Sequence, residues 1–213
     1  MLQVRGLKVS IASVEALRGF SIEVAEGSMV GLVGRNGAGK TSLMRTIMGH
    51  LRTAGGSVSF GGTDLGRQPR HARAGLGIGY MPEDRGLVPE LTVEENILLP
   101  VWSSKTLDPG ERLKFVYGAM PELEAFAQRR ALLLSGGQQK LAALGRALAI
   151  GTKLLLLDEP FEGLAPALSR RLADVIAGLR GRGLAVLLSQ SDLNHSRSLL
   201  DREVVIERGA NPA

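Results

Sequence analysis

The sequence contains no cysteine, which excludes disulfides and thiolate metal sites and leads us to expect a reducing compartment. No apolar run approaches the roughly 20 residues of a membrane-spanning helix. The opening residues, MLQVRGLKVS, also lack the apolar centre of a secretion signal. The chain is therefore expected to be made and kept in the cytosol, free to dock on a membrane protein. Blocks of like charge are missing too: 26 Lys and Arg stand against 21 Asp and Glu, and the resulting +5 is interspersed, with only short pairs such as Arg129-Arg130 and Arg170-Arg171. Nucleic acid is accordingly not an expected partner. No internal repeat or low-complexity segment is evident. What remains is 213 residues with 44% hydrophobic content, enough to bury a sizeable core as one large domain or one domain with an insertion.

Leu2 to Val9 and Phe20 to Val24 alternate apolar and polar residues as half-buried strands do. MVGLVG is a fully apolar strand ending in glycine, followed by a Gly-rich turn and the helical pattern TSLMRTIMGH. SVSFGGTDL reads as a strand leading into a turn, and GLGIGYMP as a buried strand closed by Pro82. Between about Glu90 and Ala131 the spacing becomes helical, first in LTVEENILLPVW and then in DPGERLKFVYGAMPELEAFAQRR, with Asp108 as N-cap and Pro109 at the first helical position. Then come a helix in SGGQQKLAALGRALAI, a buried strand in LLLLDEP, a helix in SRRLADVIAGLRGRG and a strand in LAVLLSQ. This alternation predicts an α/β chain with a mostly parallel sheet and helices on both faces.

GRNGAGKT, Gly34 to Thr41, fits the phosphate-loop pattern in its required place after a strand and before a helix. Glycines let successive N–H groups turn inward toward phosphate oxygens, Lys40 adds a point charge, and the helix contributes its positive end. The nucleotide-binding set is Gly34, Arg35, Asn36, Gly37, Ala38, Gly39, Lys40, Thr41 and Ser42, with the Thr41 hydroxyl as the expected Mg²⁺ ligand. Asp158 and Glu159 follow four leucines, so both stand at the carboxyl end of a buried strand. By itself an Asp-Glu pair before proline is more readily a solvated loop. Coupled to a phosphate loop, Asp158 becomes the metal partner and Glu159 the general base that orients and deprotonates the attacking water.

LSGGQQK, Leu134 to Lys140, is by itself a helix start capped by Ser135. Placed between the phosphate loop and the Asp-Glu strand, and just after a helical insertion, it resembles the signature of ATP-binding cassette (ABC) ATPases. PEDRGLVPELTVEENI and FEGLAPAL are similar, more narrowly, to the LivF-type ATPase of branched-chain amino-acid importers. The resemblance implies one ABC ATPase domain over the whole chain. Its core and antiparallel β part would be residues 1–89 and 132–213, and its helical part residues 90–131. It further implies ATP and Mg²⁺ as ligands and a head-to-tail dimer. In that dimer Ser135, Gly136, Gly137 and Gln138 meet the nucleotide held by Gly34 to Thr41 of the other subunit. Implied partners are transmembrane permease subunits docked near the Glu83 loop, a second ATPase subunit of the same or a different kind, and, indirectly, a periplasmic or extracellular substrate-binding protein. The implied location is peripheral, on the inner face of the cell membrane.

The chain departs from the family pattern at several positions. Ile11 stands where an aromatic ring usually packs on adenine, forgoing about 1 kcal/mol of ring stacking. Glu83 replaces a customary Gln, still an oxygen donor toward Mg²⁺ or water, and Ala165 replaces an interface Asp. AVLLSQSD places Ser191 where the family's switch histidine falls in an ungapped alignment; Gln190 is one residue away, and His195 lies further on. The reading is an ATP-hydrolysing importer subunit, with branched-chain or other hydrophobic amino acids, or urea or amides, as cargo. Its alternative is a weakly hydrolysing cassette paired with a more active partner. An ABC ATPase acting on nucleic acid or ribosomes would carry two cassettes or long coiled coils, and neither is present.

Overall fold

A computed structural model describes residues 1–192 and 197–212. The first two strands, β1 (Leu2–Ile11) and β2 (Val14–Val24), form a long hairpin. With β4 (Gly55–Phe60) and β5 (Thr63–Asp64) they make a four-stranded antiparallel sheet in the order β2-β1-β4-β5. Five further strands make a second sheet: β3 (Met29–Val33), β6 (Ile78–Met81), β7 (Leu154–Asp158), β8 (Ala185–Gln190) and β9 (Arg202–Val205). Its order is β6-β7-β8-β3-β9 and every pairing in it is parallel.

The central strands read as unbroken apolar runs because both of their faces are covered. Leu154 and Leu156 of β7, with Leu187 of β8, face a core shared with the antiparallel sheet and helix α1 (Lys40–Ile47). Leu155 and Leu157, with Val186 and Leu188, face a second core. That core is shared with α3 (Val93–Trp102), α4 (Pro109–Ala119), α5 (Gly136–Ile150) and α6 (Pro166–Ala177). The four-residue α2 (Ala72–Gly75) precedes β6. Helices therefore cover one face of the parallel sheet, while α1 and the antiparallel sheet cover the other. No helix among the described residues is long and apolar enough to cross a membrane.

Local chemistry sets the helix ends. Asp108 caps α4 by accepting from Glu111 N at 2.8 Å, with Pro109 at the first turn as the sequence predicts. The helix stops at Ala119 rather than running on to Arg130, because Pro121 cannot continue the ladder; the chain proceeds as a 3₁₀ segment, Pro121–Phe126. Arg112 of α4 donates to the carbonyl oxygens of Ala149 and Leu148 at 2.7 and 2.6 Å, closing the C-terminal end of α5. The helix predicted in SRRLADVIAGLRGRG begins earlier, at Pro166, and ends before Gly178. β1 and β2 run past the predicted bounds into a hairpin at Ile11 and Val14.

Candidate functional site

The carboxyl ends of β3, β7 and β8 meet along one edge of the parallel sheet, with Asp158 in register with Ser189 and Val33 with Gln190. Ligands of open parallel sheets bind at this edge. The loop from Gly34 to Gly39 leaves β3 and enters α1 there. Gly39, with φ of 110°, has a backbone that side chains rarely adopt, and a Cβ at Gly34 would lie 2.4 Å from the carbonyl oxygen of Ile206. Both glycines are thus fixed by backbone geometry. Lys40 is buried at the start of α1 and folds back over the loop, donating to the carbonyls of Gly34 at 2.6 Å and Arg35 at 3.2 Å.

The same ammonium forms an ion pair with Glu159 Oε1 at 3.0 Å. Glu159 is held from every side. Its N–H donates to Ser189 Oγ at 3.1 Å, its carbonyl accepts from Lys140 Nζ at 2.9 Å, and its Oε2 accepts from Ser191 N at 3.2 Å. Its backbone is left-handed, with φ of 46°, which is costly for a residue with a side chain and is seen where surrounding bonds over-determine it. Burial raises the Glu159 pKa above the ordinary carboxylate value, an effect opposed by Lys40 and the Ser191 N–H and reinforced by Glu162.

Asp158 has 0% exposure; its Oδ1 accepts from Ser189 Oγ at 2.6 Å, and its buried Oδ2 has no hydrogen-bond partner among the described residues. Thr41 Oγ1 donates to Glu83 Oε2 at 3.5 Å. A threonine hydroxyl, an exposed carboxylate and a free buried carboxylate oxygen are the hard donors that Mg²⁺ takes beside phosphate oxygens. Together the loop, Lys40, Thr41, Glu83 and Glu159 border a cavity of about 520 Å³, which Asn36, Gly37, Gly39 and Ser42 also line.

The other predicted positions fall around this centre. Gln190 ends β8 with 4% exposure, and Ser191 lies beside Arg35 and Ala38 in an adjoining cavity. His195 lies outside the described residues. Ile11 is 46% exposed and does not border the Lys40 cavity, whereas Val14 and Ala16, three and five residues later, do. Ser135, Gly136, Gly137 and Gln138 also lie away from that cavity and form the start of α5. Ser135 and Gln138 cap each other there, Ser135 Oγ accepting from Gln138 N at 3.3 Å and Gln138 Oε1 from Ser135 N at 3.0 Å. The Glu83 loop is stitched to α5 where Arg85 Nη1 donates to Gln139 Oε1 at 2.6 Å and Arg146 Nη2 donates to the Arg85 carbonyl at 2.7 Å.

Four residues that matter here escape a reading of the chain alone. Ser189 bridges Asp158 and Glu159, which becomes visible only once β7 and β8 are paired in register. Lys140 is a buried cation on a helix, and the only hint of its role is a charge next to the apolar run LAAL. Arg208 and β2's Arg18 reach the cavity from opposite ends of the chain, and no spacing rule links them.

A phosphate loop whose lysine faces a buried Asp-Glu pair at the end of another parallel strand of the same sheet, one strand removed, defines a P-loop nucleotide-binding protein. Within that class, the chain belongs to the ABC transporter family, which its residues 17–162 match. It is 36% identical over 209 residues to the high-affinity branched-chain amino acid transport ATP-binding protein BraG of Pseudomonas aeruginosa, covering 98% of this chain and 90% of that one. It is 33% identical over 211 residues to the lipopolysaccharide export system ATP-binding protein LptB of Haemophilus influenzae, covering 98% and 88%. With the probable branched-chain amino acid transport ATP-binding protein LivF of Archaeoglobus fulgidus it shares 30% identity over 210 residues, covering 98% and 89%. Among solved structures, the ABC transporter cassette MJ1267 in its ADP conformation superposes with a TM-score of 0.83 at 27% identity over 100% of this chain and 89% of that one. The dimeric cassette MJ0796 shares the fold, with a TM-score of 0.90 at 22% identity over 100% and 97%.

Proposed function

We propose that the chain is the ATP-hydrolysing subunit of an importer for branched-chain or other hydrophobic amino acids, bound peripherally at the cytoplasmic face of the membrane. One observation carries the hydrolytic part: Lys40 and Glu159, 3.0 Å apart, face each other across the mouth of the phosphate loop. On this reading the triphosphate draws Lys40 to its β- and γ-oxygens, and the freed Glu159 carboxylate accepts a proton from the attacking water. Mg²⁺, arriving with the nucleotide, would be held by Thr41, by Asp158 through water and by Glu83, and would neutralise charge developing on the phosphates. Ser135 to Gln138 act on the nucleotide of a second ATPase subunit.

Similarity to BraG and LivF supports amino-acid cargo. Similarity to LptB supports a transporter role without fixing its direction. The helical part, residues 90–131, and the Glu83 loop would receive the permease. They border a cavity of about 510 Å³ whose walls include Arg45, Met48, Tyr80, Pro82, Pro100 and Arg146. Purification from membranes with the attached permease and binding protein, followed by ATP-driven uptake in vesicles, tests the assignment. Uptake of leucine or valine is the expected result, and export of a lipid-linked glycan in its place would refute it.

A second reading is favoured by the end of β8, where a buried Gln190 and, just after it, an exposed Ser191 occupy the stretch in which an imidazole is expected. On that reading the cassette binds ATP, hydrolyses it slowly and relies on a more active partner subunit. Gln190→His and Ser191→His then raise turnover several-fold in steady-state assays. Unchanged turnover in both variants would count against it.

A further inference from the structure

The residues that line the Lys40 cavity are of two kinds. Lys40, Thr41, Glu83 and Glu159 form one, which suits phosphates and their cation. The rest of the wall includes, from β2, Val14, Glu15, Ala16 and Arg18 and, from the turn after β9, Arg208. Among the described residues no aromatic side chain lines this cavity. A purine nonetheless presents two broad flat faces, and stacking on a flat side chain is how proteins hold a base without reading its edges. The guanidinium of arginine is such a plane, and it stacks on aromatic faces as readily as it pairs with anions.

Arg208 is built to present that plane. Its own backbone is left-handed, with φ of 47°, in a turn closed by Glu207 and Ala210, each donating to the other's carbonyl at 2.9 Å. Gly209 N donates to the carbonyl of Ala38 at 2.9 Å, and the carbonyl of Gly209 accepts from Arg18 N at 2.7 Å. The turn is thereby bonded to the phosphate loop on one side and to β2 on the other, two residues from Ala16. The Arg208 side chain itself is exposed and makes no hydrogen bond or ion pair among the described residues. Arg18, by contrast, stands 3.8 Å from Glu15 Oε2. A rigid mount, a free guanidinium and the short apolar side chains of Val14 and Ala16, beside a Glu15 already paired with Arg18, give a flat ring a surface to lie on.

We propose that Arg208 is a nucleotide-recognition residue whose guanidinium stacks on the purine base of the bound nucleotide. This rests on the Lys40 cavity being the ATP site. The test is titration of the full chain with ATP and, separately, with inorganic tripolyphosphate, which has the charge and no base. Arg208→Ala is expected to weaken ATP binding about tenfold. The same change leaves tripolyphosphate binding within about twofold, Arg208→Trp recovers ATP affinity, and Arg208→Lys does not. Unchanged ATP affinity in Arg208→Ala, an equal loss for both ligands, or full recovery by lysine would overturn the proposal. Lys40→Ala separates the two claims: retention of both ligands in that variant refutes the cavity as the triphosphate site and leaves the Arg208 result without a ligand to explain. Should Arg208→Ala unfold, Arg208→Gln, which keeps length and polarity without the planar cation, reads the same outcomes.

Discussion

Glu159 is a charged group confined by backbone as much as by side chains. Ser189 accepts its N–H, Lys140 donates to its carbonyl, and Lys40 and the Ser191 N–H hold its two carboxylate oxygens. Because Ser189 also donates to Asp158, one hydroxyl orients both acids. Ser189→Ala leaves a buried acceptor and a buried donor unmet, each at about 1–3 kcal/mol. We expect ATP turnover to fall at least tenfold while ATP affinity without Mg²⁺ stays within about twofold, and Ser189→Thr to recover most of the rate. The pH dependence follows from the direction of the Glu159 shift. A carboxyl whose folded pKa is raised, chiefly by burial, is protonated to a higher pH than an exposed glutamate. If Glu159 is the base, as proposed, it works ionised, and the acid limb of turnover against pH is expected above the ordinary glutamate value of about 4.5. Stability has the opposite sign: this carboxyl's contribution is complete below its unfolded pKa and is lost as pH rises through the folded one. Asp158 and Glu159 were legible as a pair from LLLLDEP, but the serine that orients them was not, because it belongs to a strand distant in sequence and adjacent only through register.

The helix ends show why some elements were legible and others were not. Asp108 and Pro109 announce the start of α4 in residues that act locally, as Ser135 does for α5. The end of α4 turns on Pro121, which lies inside a pattern that is otherwise helical in its spacing. On α5 the least expected residue is Lys140, buried one turn after the cap, where it reaches the carbonyls of Glu159 at 2.9 Å and Glu162 at 2.5 Å. Burial lowers its pKa, with Glu162 and Glu159 acting to raise it. Lys140 thus ties the start of α5 to the loop that follows the acids. Lys140→Met replaces a buried charge by an apolar chain of similar length, so folding stability should change by no more than about 2 kcal/mol. Turnover should fall several-fold at unchanged ATP affinity, because the loop bearing Glu159 loses its tether. Equal losses in turnover and thermal stability would instead make the lysine a packing residue only.

Across the whole molecule, the two cores grip the parallel sheet from both faces and leave its carboxyl edge as the place where polar groups collect. The abrupt change from AVLL to SQSD marks where β8 leaves that double cover: Ser189 turns to the acids, Gln190 closes the strand, and Ser191 reaches Glu159 through its N–H. The parallel order was legible from the alternation of apolar strands and helices. The convergence of β2 and the C-terminal turn on the same cavity was not, since it joins opposite ends of the chain. On the proposed reading, loop, acids and the start of α5 serve one reaction, the hydrolysis of ATP at the Lys40–Glu159 mouth. The most direct test is to measure ATP affinity and ATP turnover on the same preparation of Glu159→Gln. We predict affinity within about threefold of the parent chain and turnover lower by about 10²- to 10⁴-fold, the range for loss of a general base. Turnover equal to that of the parent chain would contradict the assignment of Glu159 and, with it, hydrolysis by this geometry.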